Sequence, residues 1–366
     1  MNDKIYDYVI VGGGIAGCSV AYELSKYNSN ILLLEKNSDI ALEASGAAGA
    51  FLSPLLGKPN YFKDLVNTAL VYSTKLYKDN FSDLIDNCGT VRIPKDEVDD
   101  NKFTSYKPYI DFDYNYDTST KGYDFSIGSV VQSYKICNTM IKNIDTKFNC
   151  NIKNIERKEN IWLINDEIKA KNIILTTGYD TSLLNEKYIK IRPVWGRRID
   201  IKTTTLVVKN YHKACSISKS KNGVVSIGAT HHRDIKEIND NKKDTEELLY
   251  KASDILKLEN IEVVKEYCGA RASSFDYLPI VGKVINSKKT IEDYPYLKNG
   301  TKVPNKLFSR YDNMYILNGV GGRGFVLSPY LAKVLVDSLV KGTSIDEKIK
   351  VDRLFMKNVK RNCEEN

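Results

Sequence analysis

The chain has 366 residues, 42% of them hydrophobic and 27% charged, with a net charge of +8. That length makes one large domain or two intertwined ones, with enough apolar residues for a sizeable core. No stretch reaches the roughly 18 apolar residues of a membrane helix, and the opening MNDKIYDYVIVGGG carries no charged start, apolar run and cleavage site, which argues against a signal peptide. The seven cysteines are scattered without a CxxC pair, and with only three histidines they form no zinc framework. Free thiols in a cytoplasmic protein are the simplest reading. The positive charge permits an acidic partner such as RNA, although a Lys-rich surface is basic by default.

Residues Tyr6–Val11 (YDYVIV) are β-branched and aromatic and predict a buried strand. Gly12-Gly13-Gly14-Ile15-Ala16-Gly17 follows, then a helical pattern through Leu24, then the apolar run Ile31–Leu34 ending in Glu35. Strand, GxGxxG turn, helix, strand and acid at this spacing predict a dinucleotide-binding βαβ unit. Gly12 makes the tight turn, Gly14 lets a pyrophosphate reach the backbone, and Gly17 lets helix and strand pack closely. The helix start offers N–H groups and a positive dipole end to the phosphates. Glu35 is placed to accept hydrogen bonds from ribose hydroxyls and to repel a 2′-phosphate. The motif alone does not separate FAD from NAD.

The next segment, Glu43–Ala50 (EASGAAGA), is almost all small residues and lets a planar ring lie close to the backbone. Tyr61–Tyr77 has helical spacing, and 99–124 is Asp- and Tyr-rich with no clear period. Ser129–Lys142 reads as a helix after a strand, and Ile173–Gly178 (IILTTG) as a returning strand. Strands are expected near 194–202 and 223–230. His231 and His232 follow the second of these as edge residues, without further metal ligands. Cys268 precedes Arg271–Gly282 (RASSFDYLPIVG), and Asn318–Phe325 (NGVGGRGF) leads into a helix over Pro329–Leu339. Residues 362–366 are expected to fray.

Taken in order, Gly12–Glu35, Glu43–Ala50, Ile173–Gly178, Arg192–Gly196, Val224–Thr230, Arg271–Gly282 and Asn318–Phe325 resemble the D-amino acid oxidase superfamily of flavoenzymes, which includes glycine and sarcosine oxidases. The resemblance spans nearly the whole chain. It implies an α/β fold: a Rossmann-type, glutathione reductase-like FAD domain intertwined with an α+β substrate domain built on a mainly antiparallel sheet. The FAD domain would comprise 1–50, 125–185 and 268–366, and the substrate domain 51–124 and 186–267. FAD is the implied cofactor, with contacts at Gly12, Gly14, Ile15, Ala16, Gly17, Glu35, Lys36, Ser45, Gly46, Ala47, Ala48, Gly49, Ile152, Thr177, Gly178, Gly321, Gly322, Arg323, Gly324 and Phe325. No metal is implied.

Arg271 and Arg323 are the implied catalytic residues, gripping a substrate carboxylate bidentately. A plain alternative for Arg271 is an ion pair with Asp276. Within the superfamily, Ala44–Gly46, Gly49–Pro54 and Asp276–Gly282 resemble the C-terminal oxidoreductase domain of the tRNA-modifying MnmC proteins. That branch removes the carboxymethyl group from 5-carboxymethylaminomethyl-2-thiouridine at tRNA position 34. Its substrate is an N-substituted glycine, so a free amino acid such as glycine or sarcosine is the alternative. A separate methyltransferase activity is an expected partner, and a membrane is not. For the tRNA, basic contacts are expected from Lys187, Lys190, Arg192, Arg197 and Arg198, and from 283–306 with Tyr294 and Tyr296; a merely solvated face is the alternative for the second stretch.

Overall fold

The computed structural model describes residues 4–184, 186–233 and 241–364. Its first sheet has eight strands. Ile5–Val11 lies at the centre, parallel to Ile31–Leu34 on one side and to Ile168–Leu175 on the other. Asp145–Lys147 extends the sheet beyond Ile31–Leu34. The strand Ile168–Leu175 divides its far edge. Its start pairs with the meander Ile155–Lys158 and Ile161–Ile164, and its end with Arg310–Asn318, which in turn pairs antiparallel with Ile280–Ile285.

The side-chain period of two decides what lies on each face. Ile10, Ile31 and Leu33 point to a helical layer made of Ile15–Ser25, Tyr61–Asn80, Ser133–Met140 and Gly324–Lys341. Val9, Val11, Leu32 and Leu34 point the other way, to Trp162, Tyr188, Leu297 and Phe355. Both faces are covered, which is why these strands read as unbroken apolar runs.

The helix Tyr61–Asn80 was expected with the substrate portion, but it packs in this first layer. Leu65, Val66, Ala69, Leu70, Leu76 and Tyr77 join the core against Gly324–Lys341. The C-terminal helix itself starts at Gly324 and carries Pro329 inside it, five residues earlier than the Pro-based expectation. Proline has no N–H, so the carbonyl four residues before it, that of Phe325, loses its helical partner. Tyr77 Oη donates to that oxygen at 3.0 Å, and Ser73 Oγ donates to the next carbonyl, Val326, at 2.7 Å. One helix thus repairs the defect that its neighbour's proline makes.

Among the described residues the second sheet has nine strands, antiparallel except where Asn210–His212 runs alongside Thr90–Arg92. Its spine is the long pair Ile191–Lys202 and Glu262–Ser274. The boundary expected at 268 falls inside Glu262–Ser274, which belongs whole to this sheet because its ladder with Ile191–Lys202 is continuous to Ser274. Likewise Gly122–Phe125 pairs with Thr90–Arg92, so the second sheet runs up to residue 125. The stretch 99–124 is more regular than its sequence suggests. The Asp96 side chain accepts from Asp99 N and starts the helix Glu97–Tyr106, and Tyr114–Asp117 pairs with Gly122–Phe125 around a small core of Phe103, Tyr123 and Phe125. A three-stranded sheet of Phe51–Leu52, Ser129–Val131 and Ile85–Asp86 lies between the two large ones in sequence. Of the expected frayed end, residues 365–366 lie outside the described residues, and the helix Asp352–Glu364 continues to that limit.

Candidate active site

A cavity of about 860 Å³ opens where the first sheet's helices meet the second sheet. That is near the top of the ~300–1,000 Å³ usual for small-molecule sites. Two helices begin on it. Gly14, Ile15 and Ala16 at the start of Ile15–Ser25 line one part, and Gly321, Gly322, Arg323, Gly324 and Phe325 at the start of Gly324–Lys341 line another. Neither helix has a side-chain cap at its N-terminus. A Cβ on Gly324 would sit 3.0 Å from Ile15 Cγ2, so the two starts are in van der Waals contact. Two positive dipole ends therefore converge on one space.

The glycines explain how the turn closes. Gly12 has φ +109°, and a Cβ there would lie 2.6 Å from the Thr176 carbonyl oxygen. A Cβ on Gly17 would lie 1.9 Å from the Gly12 carbonyl oxygen. Gly14 borders the cavity itself, with only Ser45 Oγ near its missing Cβ, at 3.1 Å. Ser45 Oγ also accepts from Ile15 N at 2.9 Å, tying the small-residue loop to the helix start. Ala47, Ala48 and Gly49 continue the wall, and Gly178 faces it from the end of Ile168–Leu175. This glycine-lined cradle beside an uncapped helix start fits an extended pyrophosphate and a planar ring.

Other expected contacts stand behind the wall rather than on it. Gly12, Gly17 and Gly46 shape the backbone, and Thr177 donates to the Asp180 carbonyl. Glu35 is buried, and its carboxylate accepts from Gly13 N at 2.7 Å and from Asn37 N and Nδ2 at 2.9 Å. The acid expected for ribose hydroxyls is thus also a strut of the glycine turn. Lys36 pairs with Glu43 at 3.0 Å, and Ile152 is buried in the core under the sheet's other face.

The cavity's second half is cationic. Arg271 projects from Glu262–Ser274 and donates to the Thr230 carbonyl at 3.2 Å. Gly196 makes room for it, since a Cβ there would meet Arg271 Nη1 at 2.4 Å. The alternative pairing with Asp276 does not occur, because Arg353 and Lys357 hold that carboxylate at 2.9–3.1 Å. Arg323 reaches the Ser53 carbonyl at 3.5 Å, and Arg92 donates to the Pro54 carbonyl at 3.2 Å. Burial, then the charge of Arg92, lowers the Arg323 guanidinium to about 10, and burial lowers Arg271 and Arg92 as well. Among the described residues, no carboxylate is ion-paired with any of the three.

His212 lies beside Arg92 and Arg323, edge-on to Phe51 with ring centroids 5.0 Å apart. Its Nδ1 meets Ser216 Oγ at 2.5 Å, and its Nε2 has no hydrogen-bond partner among the described residues. Burial, then the two arginine charges, hold its imidazolium well below the ordinary value, so the ring is neutral. Arg92 and His212 were missed in the sequence because they sit on short strands with no motif around them. Their place comes from the parallel pairing of Asn210–His212 with Thr90–Arg92. His231 lines the cavity edge as expected, whereas His232 Nε2 is bound to Asp244 at 2.8 Å.

The expected basic patches fare differently. Arg197 is buried against Asp244 and Glu266, and Arg198 against Asp200, the Ala48 carbonyl and the Tyr267 ring, so both are structural. In 283–306, Tyr294 and Tyr296 pack edge-on against each other at 6.0 Å, and none of the segment lines the cavity.

The profile of the FAD dependent oxidoreductase family (DAO) matches residues 7–115 and 121–338. The chain belongs to this family. FAD is accordingly the cofactor of this oxidoreductase, and the cradle fits it. The chain is similar to the tRNA 5-methylaminomethyl-2-thiouridine biosynthesis bifunctional protein MnmC of Campylobacter fetus subsp. fetus, 22% identical over 91% of this chain and 56% of that protein. It is also similar to the MnmC protein of Legionella pneumophila (strain Corby), 25% identical over 92% of this chain and 54% of that protein. The chain spans about half the length of these relatives. Among solved structures, glycine oxidase from Geobacillus kaustophilus superposes with a TM-score of 0.75 at 16% identity, covering 93% of this chain and 95% of that one. Iminodiacetate oxidase from Chelativorans sp. gives 0.73 at 15% identity, covering 94% and 98%. These likenesses are of fold. No helix among the described residues is long and apolar enough to cross a membrane.

Proposed function

We propose that this chain oxidises the C–N bond of an N-substituted glycine, and that its substrate is 5-carboxymethylaminomethyl-2-thiouridine at tRNA position 34, which loses its carboxymethyl group. The observation that carries the first part is the set of guanidiniums around one cavity, at Arg92, Arg271 and Arg323, none of them ion-paired with a carboxylate among the described residues. Partly buried cations of this kind call for an anion, and a carboxylate suits the guanidinium fork. The tRNA part is supported by the naming of the MnmC relatives.

Bound FAD supplies the two-electron acceptor. The rest of the work falls to the chain. Gly12–Gly17, Ser45–Gly49, Gly178 and Gly321–Phe325 would hold the cofactor, with phosphates at the start of Ile15–Ser25. Arg271 and Arg323 would fix the glycine carboxylate, so the carbon next to the amine is presented in one orientation. The substrate amine must be neutral to be oxidised. A cationic wall lowers the proton affinity of an amine beside it. Water adds to the resulting imine and splits it into the 5-aminomethyl base and a two-carbon aldehyde acid.

A small amino-acid oxidase is the second reading, favoured by the fold likeness to glycine oxidase. One experiment divides the two. The purified holoprotein is mixed anaerobically with glycine, sarcosine, D-amino acids or tRNA bearing the carboxymethylaminomethyl group, and flavin bleaching is followed. Bleaching by the tRNA supports the proposal, and bleaching by free amino acids alone overturns its tRNA part.

A further inference from the structure

The strand that carries Arg271 ends in a turn whose aromatic residues the carboxylate anchor does not explain. Phe275 and Tyr277 are 49% and 53% exposed, large apolar surfaces left in water beside the cavity. Tyr277 lines the cavity together with Arg271. Its backbone is left-handed, φ +63°, a conformation that bulky residues avoid. Among the described residues, its ring makes no aromatic contact and its hydroxyl has no hydrogen-bond partner.

The turn beneath is rigid. Asp276 accepts from Arg353 Nε at 3.0 Å and Nη2 at 3.1 Å, from Lys357 Nζ at 2.9 Å, and from Leu278 N at 3.3 Å. Tyr277 N donates to the Ser274 carbonyl at 3.2 Å. The Arg192 guanidinium lies 4.9 Å over the Phe275 ring. A turn braced from below therefore holds two aromatic rings outward, with a cation against one of them.

We propose that Tyr277, assisted by Phe275, is a stacking surface for the pyrimidine ring of a nucleotide substrate whose glycine substituent reaches Arg271. The inference rests on the nucleic-acid reading of the previous section and names the surface that would receive the base. A free glycine or sarcosine held at Arg271 is too short to need the rim. A base bearing an N-substituted glycine has its ring a few bonds from the carboxylate, and aromatic stacking is the usual way a protein holds an unpaired base. Arg192 behind Phe275 gives the rim the charge that suits a neighbouring phosphate.

The test uses the FAD-loaded full chain and the variants Tyr277→Gly, Tyr277→Phe and Phe275→Ala. Glycine at 277 relieves the left-handed strain, so Tyr277→Gly keeps the fold while removing the ring. KM and kcat are measured with tRNA bearing the carboxymethylaminomethyl group and with sarcosine. The expected result is a roughly tenfold or larger rise in KM for the tRNA with Tyr277→Gly, a smaller rise with Phe275→Ala, and near-wild-type values with Tyr277→Phe. KM for sarcosine should stay within about twofold throughout. If the wild-type chain oxidises the tRNA and Tyr277→Gly leaves its KM unchanged, the stacking surface is overturned alone. Equal rises for both substrates overturn it too, because the ring would then be shaping the pocket in general. If the wild-type chain oxidises sarcosine but ignores the tRNA, the nucleic-acid reading falls and the stacking surface with it.

Discussion

Arg323 sits where the glycine-rich turn meets the cavity, between the cofactor cradle and the cationic wall. Removing its guanidinium deletes a charge-assisted pair worth about 3 kcal/mol at most to a bound carboxylate. Arg323→Ala should therefore retain flavin while substrate-driven bleaching slows by roughly 100-fold. Purified protein that is colourless instead would make the Arg323 guanidinium essential to holding the cofactor. His212 gives a second prediction, about stability. Its folded imidazole resists protonation, whereas the unfolded one takes a proton as pH falls below 6.5. The unfolded state then binds more protons, so stability is fully present above 6.5 and declines below it. Thermal melts of the wild type should lose about 1–2 kcal/mol between about pH 7 and about pH 5 from this group, and His212→Gln should flatten that part of the curve. An unchanged slope in the variant would assign the acid sensitivity elsewhere.

At the scale of elements, Pro329 and Tyr77 form a pair that neither segment reveals by itself. The hydroxyl of Tyr77 satisfies the Phe325 carbonyl that proline leaves open, and Phe325 lines the cavity. Tyr77→Phe should cost about 1–3 kcal/mol, the price of one buried carbonyl without a partner. Calorimetry would show it, and a loss under about 0.5 kcal/mol would mean that another donor moves in. The same pair shows what was legible in the sequence. Tyr61–Tyr77 had the right period for a helix, but the period says only that one face is apolar, not which layer that face will meet. Proline before an apolar run reads as a helix start, yet here the helix begins five residues earlier because a distant hydroxyl makes an interior proline tolerable. Arg271 and Arg323 were expected because they stand in segments, Arg271–Gly282 and Asn318–Phe325, that carry the family resemblance. Arg92 and His212 did not, because only the pairing of two short strands from distant parts of the chain brings them together. Glu35 was legible as the acid that ends its strand, but its hold on Gly13 N was not, since nothing in spacing says which way a carboxylate turns.

Across the whole molecule, the chain passes back and forth between two sheets, and expected boundaries failed where one strand serves to its full length. Glu262–Ser274 keeps its ladder to the last residue, so Arg271 hangs from a paired strand rather than a linker. The overall charge of +8 gives a prediction at this scale. If a polyanion is the substrate, raising salt from roughly 50 to roughly 200 mM should raise KM for the modified tRNA by about tenfold or more, as condensed counterions compete for the basic surface. KM for sarcosine should barely move over the same range, and a tRNA KM indifferent to salt would separate the net charge from substrate capture. The contact between Gly324 and Ile15 has a consequence in time as well as in space. The glycine turn emerges from the ribosome first, and the helix start that completes the cradle follows about 300 residues later. At roughly 5–20 residues per second, that delay is about 15–60 s. Throughout it the nascent chain owns a half-built nucleotide site, and FAD capture waits for the later helix start.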